Sequence, residues 1–119
     1  MGDRFPTKAD RNEGTTFVRA TLQVLSGKWT LLILWQLRNG PRRYGDLRRA
    51  IPGISDKVLT QHLRDLESEG VLEREVRAAR PPQVSYCFSA YGSSLIPLIQ
   101  ALSVWGEQHL KRQGRSDLM

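Results

Sequence analysis

Ile54-Ser55-Asp56-Lys57-Val58-Leu59-Thr60-Gln61-His62-Leu63-Arg64-Asp65-Leu66-Glu67 is the stretch from which the rest of the chain can be read. Ser55 is a good helix cap, and the residues after it alternate apolar and polar with helical spacing, predicting a helix over about Asp56 to Gly70. A helix advances about 100° per residue, so with Leu59 at zero, Leu63 falls at about 40° and Leu66 at about 340°. Those leucines form a single apolar stripe that must be buried. On the same convention Thr60, Arg64, Lys57 and Gln61 fall at about 100°, 140°, 160° and 200°, with Asp65 on the margin at about 240°. Four hydrogen-bond donors therefore share the side that faces away from the core, with no carboxylate among them.

Upstream, Ile51-Pro52-Gly53-Ile54 reads as a turn, preceded by a short helix over about Tyr44 to Ala50 and an extended Arg42-Arg43-Tyr44. Asn39-Gly40-Pro41 stops an earlier helix, about Lys28 to Arg38, that is apolar almost all the way round and so belongs at the centre of the core. Ser26 is expected to cap it. A first helix is predicted over about Thr16 to Leu25, with Val18, Leu22 and Leu25 on one face. Downstream, Val71 to Arg77 and Gln83 to Phe88 read as strands joined by Ala78-Ala79-Arg80-Pro81-Pro82, a donor-poor hairpin tip. A last helix follows over roughly Tyr91 to Leu110, with Pro97 either marking its true start or bending it. The fold class is mainly α with a small β-hairpin wing: a short helix, a turn and a longer helix make a helix-turn-helix, and the hairpin after it makes it winged.

The 119 residues fit one domain, and a net charge of +6 makes a polyanionic partner plausible. Cys87 is the only cysteine, so no disulfide forms within the chain. No apolar run is long enough to cross a bilayer, and the polar stretch from Met1 to Gly14 is no secretory signal. The expectation is a cytoplasmic, nucleoid-associated protein with a disordered arm over residues 1–14, a folded unit over 15–110 and a flexible tail over 111–119.

Ser55, Lys57, Thr60, Gln61 and Arg64 are the candidates for contact with base edges or phosphates of double-stranded DNA, since cations and amides are what a groove-reading helix needs. Arg80 on the stiff hairpin tip is placed to reach a phosphate or the minor groove. Arg42 and Arg43 are candidate phosphate contacts. The plain alternative is the solvated back of any amphipathic helix. Between Arg38 and Arg80 ten Lys plus Arg face seven acids, so any basic patch must come from segregation in space. A winged helix serving only as a protein-interaction module is the other binding alternative, and the cations at 57 and 64 argue against it. Catalysis finds no support: His62 and His109 are far apart, no spacing suits a metal, no glycine run cradles a phosphate, and Glu67 and Glu69 point to different sides of their helix. No metal or cofactor is expected. Trp29, Trp35 and Trp105 read first as packing, with a pocket near the dimer interface for an unidentified small-molecule effector as a minor alternative.

Leu25-Ser26-Gly27-Lys28-Trp29-Thr30-Leu31-Leu32-Ile33-Leu34 resembles the Gly-Lys-Trp signature of the HxlR family of bacterial transcription regulators. So do the stretch 54–67, the wing segment Arg80-Pro81-Pro82-Gln83-Val84-Ser85-Tyr86, and Tyr91-Gly92 through Trp105-Gly106. The resemblance spans roughly residues 15 to 110. It implies a MarR-like winged-helix homodimer that binds a pseudo-palindromic operator, as a repressor, and dimerises through its first and last helices. Val18 and Leu22 on the first and Leu95, Ile99, Leu102 and Trp105 on the last are the residues expected at that interface. Leu98 belongs to the same stripe, and Ile96, Ala101 and Val104 put apolar groups on other sides. Many members carry a Cys-Pro pair at the start of the first helix, used in some as a thiol sensor; here the pair is Thr16-Phe17, and a hydroxyl cannot replace a thiolate. Cys87, on the Gln83-Ser85-Cys87 side of its strand, is a weak redox candidate and reads first as structural.

Overall fold

A computed structural model of the chain describes residues 8–114. They form α1 (Lys8–Leu25), α2 (Lys28–Leu37), β1 (Arg42–Arg43), α3 (Tyr44–Ala50), α4 (Asp56–Ser68), β2 (Leu72–Arg77) and β3 (Gln83–Phe88). A 3-10 turn, Gly92–Leu95, leads into α5 (Ile96–Arg112). The winged helix-turn-helix is as expected, with α3 and α4 as its helix pair. Pro97 stands in the first turn of α5, where its missing N–H is one the helix would leave unpaired in any case.

α2 runs through the middle. Its Ile33, Leu34 and Leu37 meet Leu47 of α3, Leu59, Leu63 and Leu66 of α4, Val71 and Leu72 at the base of the wing, Tyr86 of β3 and Ile99 of α5. The stripe predicted for α4 is therefore the stripe that is buried. Ser55 caps that helix by accepting from the Val58 N–H at 3.1 Å. Pro52-Gly53 makes the tight link from α3. Gly53 has φ +85° as the third residue of a turn closed from Ile54 N–H to Ile51 O, a position where a side chain would be strained.

Four expectations are corrected. α1 begins at Lys8 rather than Thr16, so residues 8–14, expected to be loose, are helical; residues 1–7 lie outside the described residues. Poverty in apolar groups argues against burial, but Lys, Ala, Arg and Glu are strong helix formers that extend a helix already nucleated downstream. Ser26 does not cap α2: Gly27 holds the cap position without a side-chain bond, and the Ser26 carbonyl accepts from Thr30 Oγ1 at 2.8 Å. Arg42-Arg43 is more than an extended link. It pairs antiparallel with β3, Arg42 opposite Tyr86 and Arg43 opposite Ser85, so the sheet has three strands in the order β1-β3-β2. At the other end, α5 continues to Arg112, and of the tail expected over 111–119 residues 115–119 lie outside the described residues.

The backbone of Val71 joins three parts of the molecule. Its N–H closes the end of α4 on Leu66 O at 2.9 Å, and its carbonyl accepts from Ser89 N–H at 3.0 Å. Ser89 Oγ in turn accepts from Gly92 N–H at 2.8 Å and donates to the Gly70 carbonyl. Gly92 packs so closely that a Cβ there would lie 1.9 Å from Val71 O. Gly92→Ala is therefore expected to destabilise the fold by about 3 kcal/mol or more, the scale of severe overpacking. Urea unfolding followed by circular dichroism measures it; a loss below about 1 kcal/mol would show that the joint has slack.

Candidate nucleic-acid interface

With its leucine stripe buried, α4 turns its other side outward. Lys57, Gln61 and Arg64 are exposed and Thr60 is half-buried beside them, so the four predicted donors do share a face. They are not equally available. Gln61 Nε2 donates to Asp65 Oδ1 at 2.9 Å, which holds the amide against the marginal carboxylate and leaves its Oε1 and second N–H for another partner. The Ser55 hydroxyl oxygen is engaged as the helix cap, which makes Ser55 first of all a structural residue. Lys57 and Arg64 form no ion pair among the described residues.

Tyr44, at the start of α3, reaches across to the first turns of α4. Its hydroxyl donates to Asp56 Oδ1 at 2.8 Å and lies 3.3 Å from Thr60 Oγ1. Arg48 Nε is 3.1 Å from the same Asp56 oxygen. Burial pushes the Tyr44 phenol above its ordinary value of 10.0; the Thr60 hydrogen bond offsets part of the rise and Asp56 adds to it. The phenol is thus a protonated donor throughout the neutral range. Tyr44 was missed in the sequence because an aromatic residue at the start of a short helix reads as core, and nothing in spacing reveals where its hydroxyl points.

The arginines divide by environment. Arg42 is half-buried and donates to Gln36 Oε1 at 2.6 Å, bracing β1 against α2. Arg48, Arg49 and Arg77 are paired with Asp56, Asp46 and Glu75. Arg43, Arg74 and Arg80 are exposed and, among the described residues, carry no ion pair. An open groove of about 450 Å³ runs between α4 and the wing, and Arg43, Tyr44, Thr60, Arg74, Gln83 and Tyr86 are among its lining residues. Arg80 stands apart from it at the hairpin tip. Arg74 is a second residue missed in the sequence. Its signal was strand alternation, which puts Arg74 on the Leu72 and Val76 side, and the register that sets it opposite Tyr86.

Of the residues expected at a dimer interface, Val18, Leu22, Leu102 and Trp105 are exposed. Ile99 is not available: it is 3% exposed and packs into the chain's own core, and Leu95 is half-buried against that core. α5 spends one edge of its stripe internally, so Leu98, Leu102 and Trp105 are what it leaves outside, with Phe17 joining Val18 and Leu22 on α1. Trp29 and Trp35 pack against the core under the cations of Lys28 and Arg38, while Trp105 stacks on His109 at the surface. His62 is half-buried, with Nδ1 3.2 Å from Thr30 Oγ1, as a packed helix histidine should be.

The winged-helix fold has counterparts among known proteins. The family model described as HxlR-like helix-turn-helix matches residues 24–114. The chain belongs to the HxlR-like helix-turn-helix family. An uncharacterized HTH-type transcriptional regulator of Bacillus subtilis strain 168, YtcD, is 45% identical over 95 residues, covering 80% of this chain and 75% of that protein. A MarR-family regulator structure from Porphyromonas gingivalis W83 superposes with a TM-score of 0.72 at 39% identity, over 75% of this chain and 87% of that one. The redox regulator HypR in its oxidised form superposes with a TM-score of 0.74 at 36% identity, over 76% and 94%. This HxlR-like chain is accordingly a helix-turn-helix transcriptional regulator, and none of its described helices is long and apolar enough to cross a membrane.

The position of the absent sensor cysteine and the one weak redox candidate are now placed. Thr16 is exposed on α1, its hydroxyl donating to Asn12 O at 3.1 Å. Cys87 is half-buried on β3; burial first, then the negative charges of Glu73 and Glu75, push its thiol above the ordinary value of 9.0. Because only the thiolate reacts, a raised pKa means a smaller reactive fraction at neutral pH. Alkylation of Cys87 by iodoacetamide is therefore expected to accelerate about tenfold per pH unit and still be rising at pH 9.0. A rate that levels off near neutrality would contradict this.

Proposed function

We propose that this HxlR-like regulator is a homodimer that represses transcription by binding a pseudo-palindromic operator in double-stranded DNA. The observation that carries the reading is the coexistence of two unpartnered surfaces. One is the polar face of α4 with the groove beside it. The other is the apolar face of α1 and α5, where Phe17 is 66% and Trp105 65% exposed.

α1 makes the case for a second copy. Among its residues with described side chains only Leu25 is buried, so the helix leans on its own chain at one end alone. The radius of gyration is 17.5 Å, against about 13.5 Å for a compact chain of this length. A helix that projects with an apolar stripe uncovered is stabilised by packing that stripe on something else. Two-fold pairing through α1 and α5 satisfies both copies with the same surface. In this reading the two copies of α4 enter successive major grooves about 34–36 Å apart. Lys57, Gln61 and Arg64 then face base edges or phosphates, while Arg43 and Arg74 in the groove and Arg80 at the tip face the backbone or minor groove; Arg42, held by Gln36, braces the strand that carries Arg43. Ser55 caps the helix so presented.

Operator binding is tested with fragments from the gene's own upstream region by fluorescence anisotropy. Lys57→Ala combined with Arg64→Ala is expected to raise Kd at least about tenfold while the protein stays dimeric, and to flatten the dependence of log Kd on log salt. Unchanged affinity would move DNA contact away from α4. The dimer is tested separately by sedimentation: Leu102→Arg places a charge in the apolar face and is expected to give monomers, weakening operator binding by about a hundredfold or more through loss of avidity. A variant that sediments as the wild type would remove α5 from the interface.

A further inference from the structure

The groove beside α4 holds a chain of three oxygens whose contacts favour one direction for its protons. Tyr44 has one hydroxyl proton and three oxygens near it: Asp56 Oδ1 at 2.8 Å, Asp56 O at 3.4 Å and Thr60 Oγ1 at 3.3 Å. The carboxylate oxygen, held by Arg48, is the closest and the strongest acceptor, because a hydrogen bond to a charged group is about twice as strong as one between neutral groups. The Tyr44 proton goes there. The Tyr44 oxygen is then left with lone pairs only toward Thr60, so the Thr60 proton points back at Tyr44. A hydroxyl has one proton and two acceptor pairs. In that arrangement Thr60 has nothing left to donate, and its oxygen lies on the groove that it helps to line.

Resting on the DNA-binding reading above, we infer that Tyr44 and Asp56 are positioning residues that make Thr60 an acceptor-only reader of a base edge in the major groove. A hydroxyl in that state has nothing to offer a phosphate, which also only accepts. It fits the exocyclic amino groups, N6 of adenine and N4 of cytosine, and is repelled by O6 of guanine and O4 of thymine. Thr60 thus sets one position of each half-site to adenine or cytosine on the contacted strand, and Asp56, which touches no base in this arrangement, determines that choice through Tyr44.

The test is selection by the full-length protein from duplexes with a randomised core spanning two half-sites, followed by Kd measurements on the enriched duplex and each single-pair variant of it. Wild type is expected to prefer adenine or cytosine over guanine or thymine at one position per half-site by about fivefold to tenfold. In Tyr44→Phe the Thr60 proton is free to turn outward, and the preference at that position alone should fall below about twofold. Thr60→Val should abolish it. Asp56→Ala should weaken it, because the Tyr44 proton is released from the carboxylate and shared between the backbone carbonyl of position 56 and Thr60 Oγ1, which leaves the Thr60 proton turned outward part of the time. Should Asp56→Ala melt early, Tyr44→Phe and Thr60→Val, which keep the shapes they replace, decide between them. Tyr44→Phe with the full wild-type preference overturns the inference. So does a uniform loss of affinity on every duplex with the preference profile intact, which is the mark of a merely structural tyrosine. If wild type enriches no sequence at all, the DNA-binding reading fails and takes this one with it; enrichment of a site that Thr60→Val reads unchanged overturns this inference alone.

Discussion

A surface helix has one freedom that matters for what it presents, its rotation about its own axis, and in α4 that rotation is set by Leu59, Leu63 and Leu66. All three are at most 3% exposed. Burying each contributes about 1.5–3 kcal/mol, so a turn of one residue's worth, about 100°, would forfeit several kcal/mol and point Lys57 and Arg64 sideways. The outward face of α4 is thus a by-product of its inward one. The Ser55 cap and the closure of Val71 on Leu66 hold the two ends, and the Tyr44–Asp56–Thr60 contacts lock the first turns to α3.

The net charge of +6 is a poor guide to the interface, because the cations are not equivalent. Arg48 and Arg49 are spent on Asp56 and Asp46, and Arg77 on Glu75. Arg42 is spent on Gln36, and Arg38 on the ring of Trp35. Exposed pairs of this kind add little to stability, but they remove charge from the local field. What remains on the wing side of α4 is Arg43, Arg74 and Arg80, joined by Lys57 and Arg64 on the helix itself.

Much of this was legible in the sequence for reasons that are local. The period of Leu59, Leu63 and Leu66, the Pro-Gly turn, the Ser55 cap and the alternation of Val84, Tyr86 and Phe88 each announce an element within a few residues. What escaped depends on distant partners. β1 is two residues long and has no alternation of its own; it is a strand only because β3 lies beside it. Helical spacing shows that α5 is apolar on more than one side but not which side the chain uses, so Ile99, expected at an interface, lines the core instead, with Leu95 half-buried beside it. The Tyr44 hydroxyl finds Asp56 across a turn, a relation that spacing along one helix cannot express. The start of α1 was missed for the opposite reason: its helix-forming residues were judged by their lack of apolar surface rather than by propensity.

The joint around Val71, Ser89 and Gly92 bears on how such a protein can change. Position 92 is closed to every residue with a side chain, and an inserted residue between β3 and α5 would break hydrogen bonds to both Gly70 and Val71. The hairpin tip from Ala78 to Pro82 is exposed throughout, so an insertion there displaces no buried side chain. Variation is therefore channelled: the wing can lengthen, shorten or exchange its charges while α4 and α5 keep their mutual setting. A lineage of such chains can explore new target sequences at its periphery without first having to rebuild the frame that aims it.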